Sequence, residues 1–226
     1  WYKRQVLAEV FERVPAPQDL GPESAMRMGE VVSKISEATG NKAIVVTDVG
    51  QNQMMSARYS NYTIPKSMIT SGGLGTMGFC LPAAIGAKLA DPGREVLAYM
   101  GDGGFQMTMQ ELGTILEYRV GVKIILLNNN YLGNVRQWQA MFYNNRFSAT
   151  PMVNPDFIAI AAAYGIPAEN VSCRAELDEA IARMSAHDGA YMLNVNIDPT
   201  DMVFPMVTPG SAIDNILIIT NDKYEA

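Results

Sequence analysis

Short runs of apolar and β-branched residues alternate along this chain with stretches of helical periodicity, and that alternation restricts the fold more than any other feature. Ala43–Thr47, Val96–Met100, Val122–Leu127 and Tyr191–Ile197 read as buried strands. Met28, Val31, Val32, Ile35 and Ala38 keep helical spacing from Ser24 onward, with Gly40 as a stop. Further helices are predicted over about 106–119, on the apolar positions Met107, Leu112, Ile115 and Leu116, and over about 155–164 and 176–186. Strands alternating with helices predict an α/β fold, a parallel sheet with helices on both faces.

The ends read differently. Residues 1–22 begin with helical character and run into a connector marked by Pro15, Pro17, Gly21 and Pro22. The α/β domain is expected over 23–198. Residues 199–226, with Pro199, Pro205, Pro209 and Gly210, are expected to form an irregular C-terminal arm that regains order. The chain opens on Trp1 rather than Met, and with its linker-like start it is read as a piece of a longer protein.

Composition removes several functions. Lys+Arg is 17 against 23 Asp+Glu, a net charge of −6, which argues against nucleic-acid or anionic-membrane partners. Hydrophobic residues make up 48% of 226 residues, enough for a core and too many for disorder. Cys80 and Cys173 cannot build a disulfide framework, and no CxxC spacing is present. A single histidine, His187, argues against catalysis through imidazole. No apolar run approaches the roughly 18 residues of a membrane span. No secretory leader pattern is visible either, so the cytoplasm is the expected compartment.

The chemistry concentrates at Gly101-Asp102-Gly103-Gly104, between a strand and a helix. Ligands of parallel sheets sit beyond the carboxyl ends of the strands. Gly103 and Gly104 would let backbone N–H groups approach a phosphate there. A carboxylate such as Asp102 beside phosphates needs a cation between them, and a hard oxygen-seeking ion such as Mg²⁺ suits the position. Asn129 follows Asp102 by 27 residues, the length of one helix and one strand, so both fall at adjacent strand ends. A carbonyl near Tyr131 would be a third protein ligand, with phosphate oxygens and water completing the octahedron.

GDG, then 24 residues from Gly104 to Leu127, then Asn128-Asn129 resembles the signature of thiamine diphosphate enzymes. Neighbouring segments narrow the resemblance. Asp48-Val49-Gly50-Gln51-Asn52-Gln53-Met54, Thr70 to Gly78, Leu81 to Gly86, Val135-Arg136-Gln137-Trp138-Gln139 and Phe204-Pro205-Met206-Val207 look like the catalytic subunits of acetolactate (acetohydroxyacid) synthases. The resemblance covers about residues 43–218 and points to the C-terminal, thiamine diphosphate-binding domain. It implies that Gln51 and Asn52 hold the diphosphate with Gly103 and Gly104, and that Asp102, Asn129 and the carbonyl of Tyr131 ligate Mg²⁺. It implies that the carbonyl of Gly75 accepts from the cofactor's 4′-amino group, that Met77 wedges under the bent cofactor, and that Trp138 sets acceptor size.

The implied reaction joins a two-carbon unit from pyruvate to a second 2-oxo acid in branched-chain amino acid biosynthesis. The activating glutamate belongs to another domain, so no catalytic residue is assigned within this chain, and Glu111 is not given that role. FAD in the full-length enzyme, a homodimer or larger assembly and a regulatory subunit all fit the resemblance. Three positions depart from the family pattern: Asn52 stands for a common His, Met55 for a Trp, and Asn134 for a Met. Two other readings stay open. One is another thiamine diphosphate-dependent 2-oxo acid decarboxylase or carboligase. The other is a non-catalytic cofactor-binding module or one subunit of a split enzyme. Gly73-x-Gly75-x-x-Gly78 also spells a dinucleotide fingerprint, a weak match alone.

Overall fold

β-Branched and apolar residues force the centre of the chain into a sheet buried on both sides. The computed structural model describes residues 24–208, 210–212, 215–220 and 223–225. The expected linker over residues 1–22 lies outside them. Residues 22–201 form one compact unit, and the chain from Met202 onward belongs to a second.

The first unit opens with α1 (Met28–Ala38), β1 (Ile44–Thr47), α2 (Gln51–Tyr59), β2 (Met68–Thr70), α3 (Cys80–Ala90) and β3 (Val96–Gly101). It continues through α4 (Asp102–Thr108), a 3₁₀ turn at Met109–Glu111, α5 (Leu112–Tyr118), β4 (Val122–Asn128) and α6 (Gly133–Phe142). It closes with α7 (Phe157–Ala163), β5 (Ala168–Val171), α8 (Arg174–Ala186) and β6 (Tyr191–Asn196). The six strands are all parallel, in the order β2-β1-β3-β4-β6-β5. The chain leaves β1 toward β2 on one side and resumes at β3 on the other, which makes the β1/β3 junction a topological switch point.

Alternate residues face opposite layers. Ile44, Val46, Val96, Ala98, Met100, Val122, Ile124 and Leu126 share one core with Leu81, Phe105, Leu112, Phe157 and Ala161 from the helices. Phe105 and Phe157 meet edge to face at 5.4 Å, worth about 0.5–1.5 kcal/mol beyond area burial. Val45, Leu97, Tyr99, Ile125 and Leu127 are buried on the other face. There α2 packs on β1 and β3, α8 packs on β5 and β6, and α1 packs on both helices. Lys123 is the charged residue in the central strands; its ammonium donates to the carbonyls of His187 and Gly189 at 2.6 and 2.8 Å, beyond the end of α8.

The helix expected over 106–119 is corrected in two ways. It starts at Asp102, directly after the strand, and it is interrupted at Met109–Glu111. The interruption follows Thr108, whose hydroxyl donates to the carbonyl of Gly78 at 3.0 Å while its own backbone leaves helical geometry (φ −137°, ψ 18°). Leu112 and Ile115 are buried as expected, whereas Met107 and Leu116 are more than half exposed.

In the second unit, β7 (Met206–Val207) pairs antiparallel with β8 (Ile216–Thr220), which pairs antiparallel with β9 (Lys223–Glu225).

Candidate functional site

Strand register brings the candidate residues together. Thr47 lies level with Tyr99, and Gly101 with Leu127, so residues 48–52, 101–104 and 127–131 emerge side by side at the carboxyl edge of the sheet. Of these, Val49–Asn52, Gly101–Gly104, Leu127, Asn129 and Tyr131 line one cleft together with Met28, Met77 and Leu132–Val135. Its volume is about 140 Å³, below the roughly 300–1,000 Å³ of pockets that enclose a whole drug-sized ligand. The chain by itself therefore offers part of a cofactor-sized site.

Asp102 is the cleft's buried carboxylate, 1% exposed. Burial pushes its carboxyl above the ordinary aspartate range; hydrogen bonds from Asn154 and from the backbone at Gly103, Asp102 and Asn130 oppose that rise. Asn129 is buried beside it. The Asn129 Oδ1 accepts from the Tyr131 N–H at 3.1 Å, which fixes the turn that carries the Tyr131 carbonyl, and its Nδ2 donates to Gln51 Oε1 at 3.3 Å. Asp102, Asn129 and Tyr131 all line the same cleft.

Gln51 and Asn52 both line the cleft at the start of α2, but their side-chain donors are committed inside the protein. Gln51 Nε2 donates to Gln137 Oε1 at 3.1 Å and to the Asp201 carbonyl at 3.0 Å. Asn52 Nδ2 donates to the Val49 carbonyl at 2.9 Å, and its Oδ1, an acceptor, is buried without a partner. What these residues offer an anion is backbone: the first N–H groups of a helix have no intrahelical acceptor. Gly50 makes that geometry accessible, because its φ of 99° at the strand-to-helix turn is costly for any residue with a Cβ.

The glycines of the GDG segment have neighbours that explain them. A Cβ at Gly103 would stand 2.9 Å from Leu132 Cδ2, and one at Gly104 would collide with the Asp48 carboxylate. Asp48, 1% exposed, went unrecognised in the sequence. Its carboxylate accepts from the Gly78 N–H at 3.0 and 3.1 Å and from the Cys80 N–H at 3.1 Å. It thereby fills the N-terminus of α3, the place a dinucleotide fingerprint at Gly73-x-Gly75-x-x-Gly78 would reserve for pyrophosphate. It also anchors the residue next to Met77. Asn154 also escaped the sequence reading; it reaches Asp102 from 52 residues away, at 2.7 Å.

Two expected residues do not line the cleft. Gly75 sits in the loop after β2, with φ 62° and its N–H on the Ser71 carbonyl at 3.0 Å. Trp138 lies on α6, stacked on Phe142 with ring centroids 5.0 Å apart. Of the departures noted in the sequence, Met55 is core and Asn134 lines the cleft.

A cleft at the switch point of a parallel sheet, where helix starts and glycine-rich turns expose backbone N–H groups, is the place where such folds hold phosphorylated ligands. The chain belongs to the family of the C-terminal TPP-binding domain of thiamine pyrophosphate enzymes, whose model matches residues 48–195. Among curated relatives, it is 42% identical over 197 residues to the acetolactate synthase isozyme 2 large subunit of Escherichia coli, covering 87% of this chain and 36% of that protein. It is 47% identical over 170 residues to the acetolactate synthase of Arthrospira platensis, covering 74% and 29%. It is 39% identical over 216 residues to the mitochondrial acetolactate synthase catalytic subunit of Saccharomyces cerevisiae, covering 96% and 31%. The chain spans about a third of the length of these relatives.

Proposed function

We propose that this chain is the cofactor-binding C-terminal domain, residues 23–198 with the arm 199–226, of a thiamine diphosphate-dependent acetolactate synthase. The enzyme would transfer a two-carbon unit from pyruvate, after decarboxylation, to pyruvate or 2-oxobutyrate. The observation that carries this reading is the meeting of Asp102, Asn129 and Tyr131 with the starts of α2 and α4 in one cleft, in a chain 39–47% identical to acetolactate synthases.

The donor set fits thiamine diphosphate with Mg²⁺. All three donors are oxygens, as a hard cation requires, and two are neutral, which leaves the counter-charge to a diphosphate. Among the described residues no cluster of three His, Cys, Asp or Glu side chains could hold a metal unaided. In this reading Asp102, Asn129 and the Tyr131 carbonyl hold the cation, and backbone N–H groups at Gln51, Asn52, Gly103 and Gly104 face the diphosphate. Gly75 and Met77 meet the pyrimidine side, and Trp138 shapes the acceptor side. When bound, the cofactor supplies the carbanion chemistry, and the protein orients it.

The activating glutamate is assigned to a region outside this chain; Glu111 is held on the 3₁₀ turn, where its carboxylate accepts from the Thr114 hydroxyl at 2.9 Å. The full-length enzyme is proposed to be a cytoplasmic homodimer or larger assembly, with FAD and a regulatory subunit as further proposed components.

The test is acetolactate production from pyruvate by the full-length gene product supplied with thiamine diphosphate and Mg²⁺. Acetolactate formation supports the reading, and Trp138→Leu should then shift products away from the 2-oxobutyrate adduct. Cofactor binding without acetolactate would overturn the substrate assignment in favour of another 2-oxo acid. Turnover by residues 1–226 alone would overturn the placement of the activating glutamate.

A further inference from the structure

The segment that returns after α6 runs back along the turn that carries the candidate cation ligands. Leu132 N–H donates to the Thr150 carbonyl and Met152 N–H to the Asn130 carbonyl, both at 2.9 Å, and Tyr131 and Pro151 form an antiparallel bridge. This short ladder delivers Asn154 over the end of β3. Its Nδ2 lies 2.7 Å from Asp102 Oδ2, 3.0 Å from Asn130 Oδ1 and 3.1 Å from Asn128 Oδ1. Its own oxygen accepts from Gln106 Nε2 at 2.8 Å. A carboxylate can only accept, so the amide's orientation is dictated: nitrogen toward Asp102, oxygen toward Gln106. Two N–H bonds face three oxygens, which ties the carboxylate of one strand end to the turn after the next.

We propose that Asn154 is a positioning residue for the cation site, fixing the Asp102 carboxylate against the Asn128–Asn130 turn in the geometry that a divalent cation requires, with Gln106 holding the Asn154 amide in register. The inference rests on the reading of Asp102 and Asn129 as cation ligands. Mg²⁺ demands near-ideal octahedral geometry, so a carboxylate free to rotate binds it less well. Loss of an outer-shell partner of a ligand typically lowers metal affinity about 10–100-fold.

The test uses full-length apo-protein saturated with thiamine diphosphate and titrated with Mn²⁺, an oxygen-seeking probe whose free fraction is read by electron paramagnetic resonance. Asn154→Ala and Asn154→Leu should each weaken Mn²⁺ binding by about tenfold or more. Leucine keeps the side chain's size and removes its donors, so a merely space-filling role predicts that Asn154→Leu binds as wild type. Asn154→His, which can present an N–H at the same branch, should recover part of the affinity. Gln106→Leu, which leaves Asn154 in place, should give a smaller loss and stands as the readout if the Asn154 variants fail to fold. Wild-type affinity in Asn154→Leu or, failing that variant, in Gln106→Leu overturns the role of Asn154 alone. A wild-type protein that takes up no Mn²⁺ overturns the cation-site reading and this inference with it.

Discussion

Replacing Gly104 with alanine separates two reasons for a glycine in the GDG segment. An alanine Cβ there would collide with Asp48 Oδ1 and stand 2.8 Å from Asp48 Cγ. The carboxylate has nowhere cheap to go: it is 1% exposed and accepts from the backbone N–H groups of Gly78 and Cys80. Hydrogen bonds to a charged group are worth about 1.5–3 kcal/mol each, so displacing both donors costs about 3–6 kcal/mol. Alanine returns about 1 kcal/mol over glycine inside a helix. The net expectation is a loss of about 2–5 kcal/mol, or at least about 4 °C in Tm for a chain of this size.

The assay is thermal unfolding of the cofactor-free protein, in a cycle with Asp48→Ala. That variant destabilises by itself, because it leaves two N–H groups without their acceptor. In its background, however, Gly104→Ala should become neutral or stabilising by up to about 1 kcal/mol, since only helix propensity remains. An equal loss in both backgrounds would refute the contact. A glycine needed solely for phosphate approach would show wild-type melting of the cofactor-free protein and weaker cofactor binding.

Three further outcomes follow from burial and charge. Burial raises the Asp102 carboxyl above its ordinary value, so the folded chain holds that proton more tightly than the unfolded chain, and this contribution to stability is lost as pH rises through the raised value. Asp102→Asn should therefore raise the Tm of the cofactor-free protein at neutral pH while weakening cation binding. Glu169 behaves oppositely: hydrogen bonds from Arg183 and Tyr191 hold its carboxyl below the usual range, so its contribution is present above about pH 4.5 and fades as pH falls through the lowered value. Glu169→Gln should flatten that acid limb in urea-denaturation midpoints, with an effect under about 1 kcal/mol. Of the two thiols, Cys80 is fully buried, with its Sγ donating to the Val46 carbonyl at 3.2 Å and its thiolate disfavoured by burial and by the charge of Asp48. A native-state thiol titration with an aromatic disulfide should therefore count one fast equivalent, Cys173, with the second appearing on denaturation.

The central strands were legible because a strand covered on both faces must be apolar at nearly every position, as Val96–Met100 is. The two sheet edges were not. Met68–Thr70 is three half-buried residues, and Ala168–Val171 carries Glu169 and Asn170, so neither shows a run or an alternation. The start of α4 was hidden by its composition: Gly103 and Gly104 read as turn, and the packing of Phe105 on Phe157 overrides that propensity. The site was legible where its residues follow strand ends, at Asp102 and Asn129. Asp48 and Asn154 were invisible as partners because their contacts span 30 and 52 residues, and nothing local marks an acceptor or a donor for a distant group. Nor does the sequence show that the amides of Gln51 and Asn52 bond to Gln137 and to the carbonyls of Asp201 and Val49.

The most direct measurement of the central claim is a calorimetric titration of thiamine diphosphate into the full-length protein and its Asp102→Ala variant, each with Mg²⁺ and with a chelator. Wild type should bind only when Mg²⁺ is present, and a folded Asp102→Ala variant should show no Mg²⁺-dependent binding. Unchanged, Mg²⁺-dependent affinity in that variant would contradict the claim.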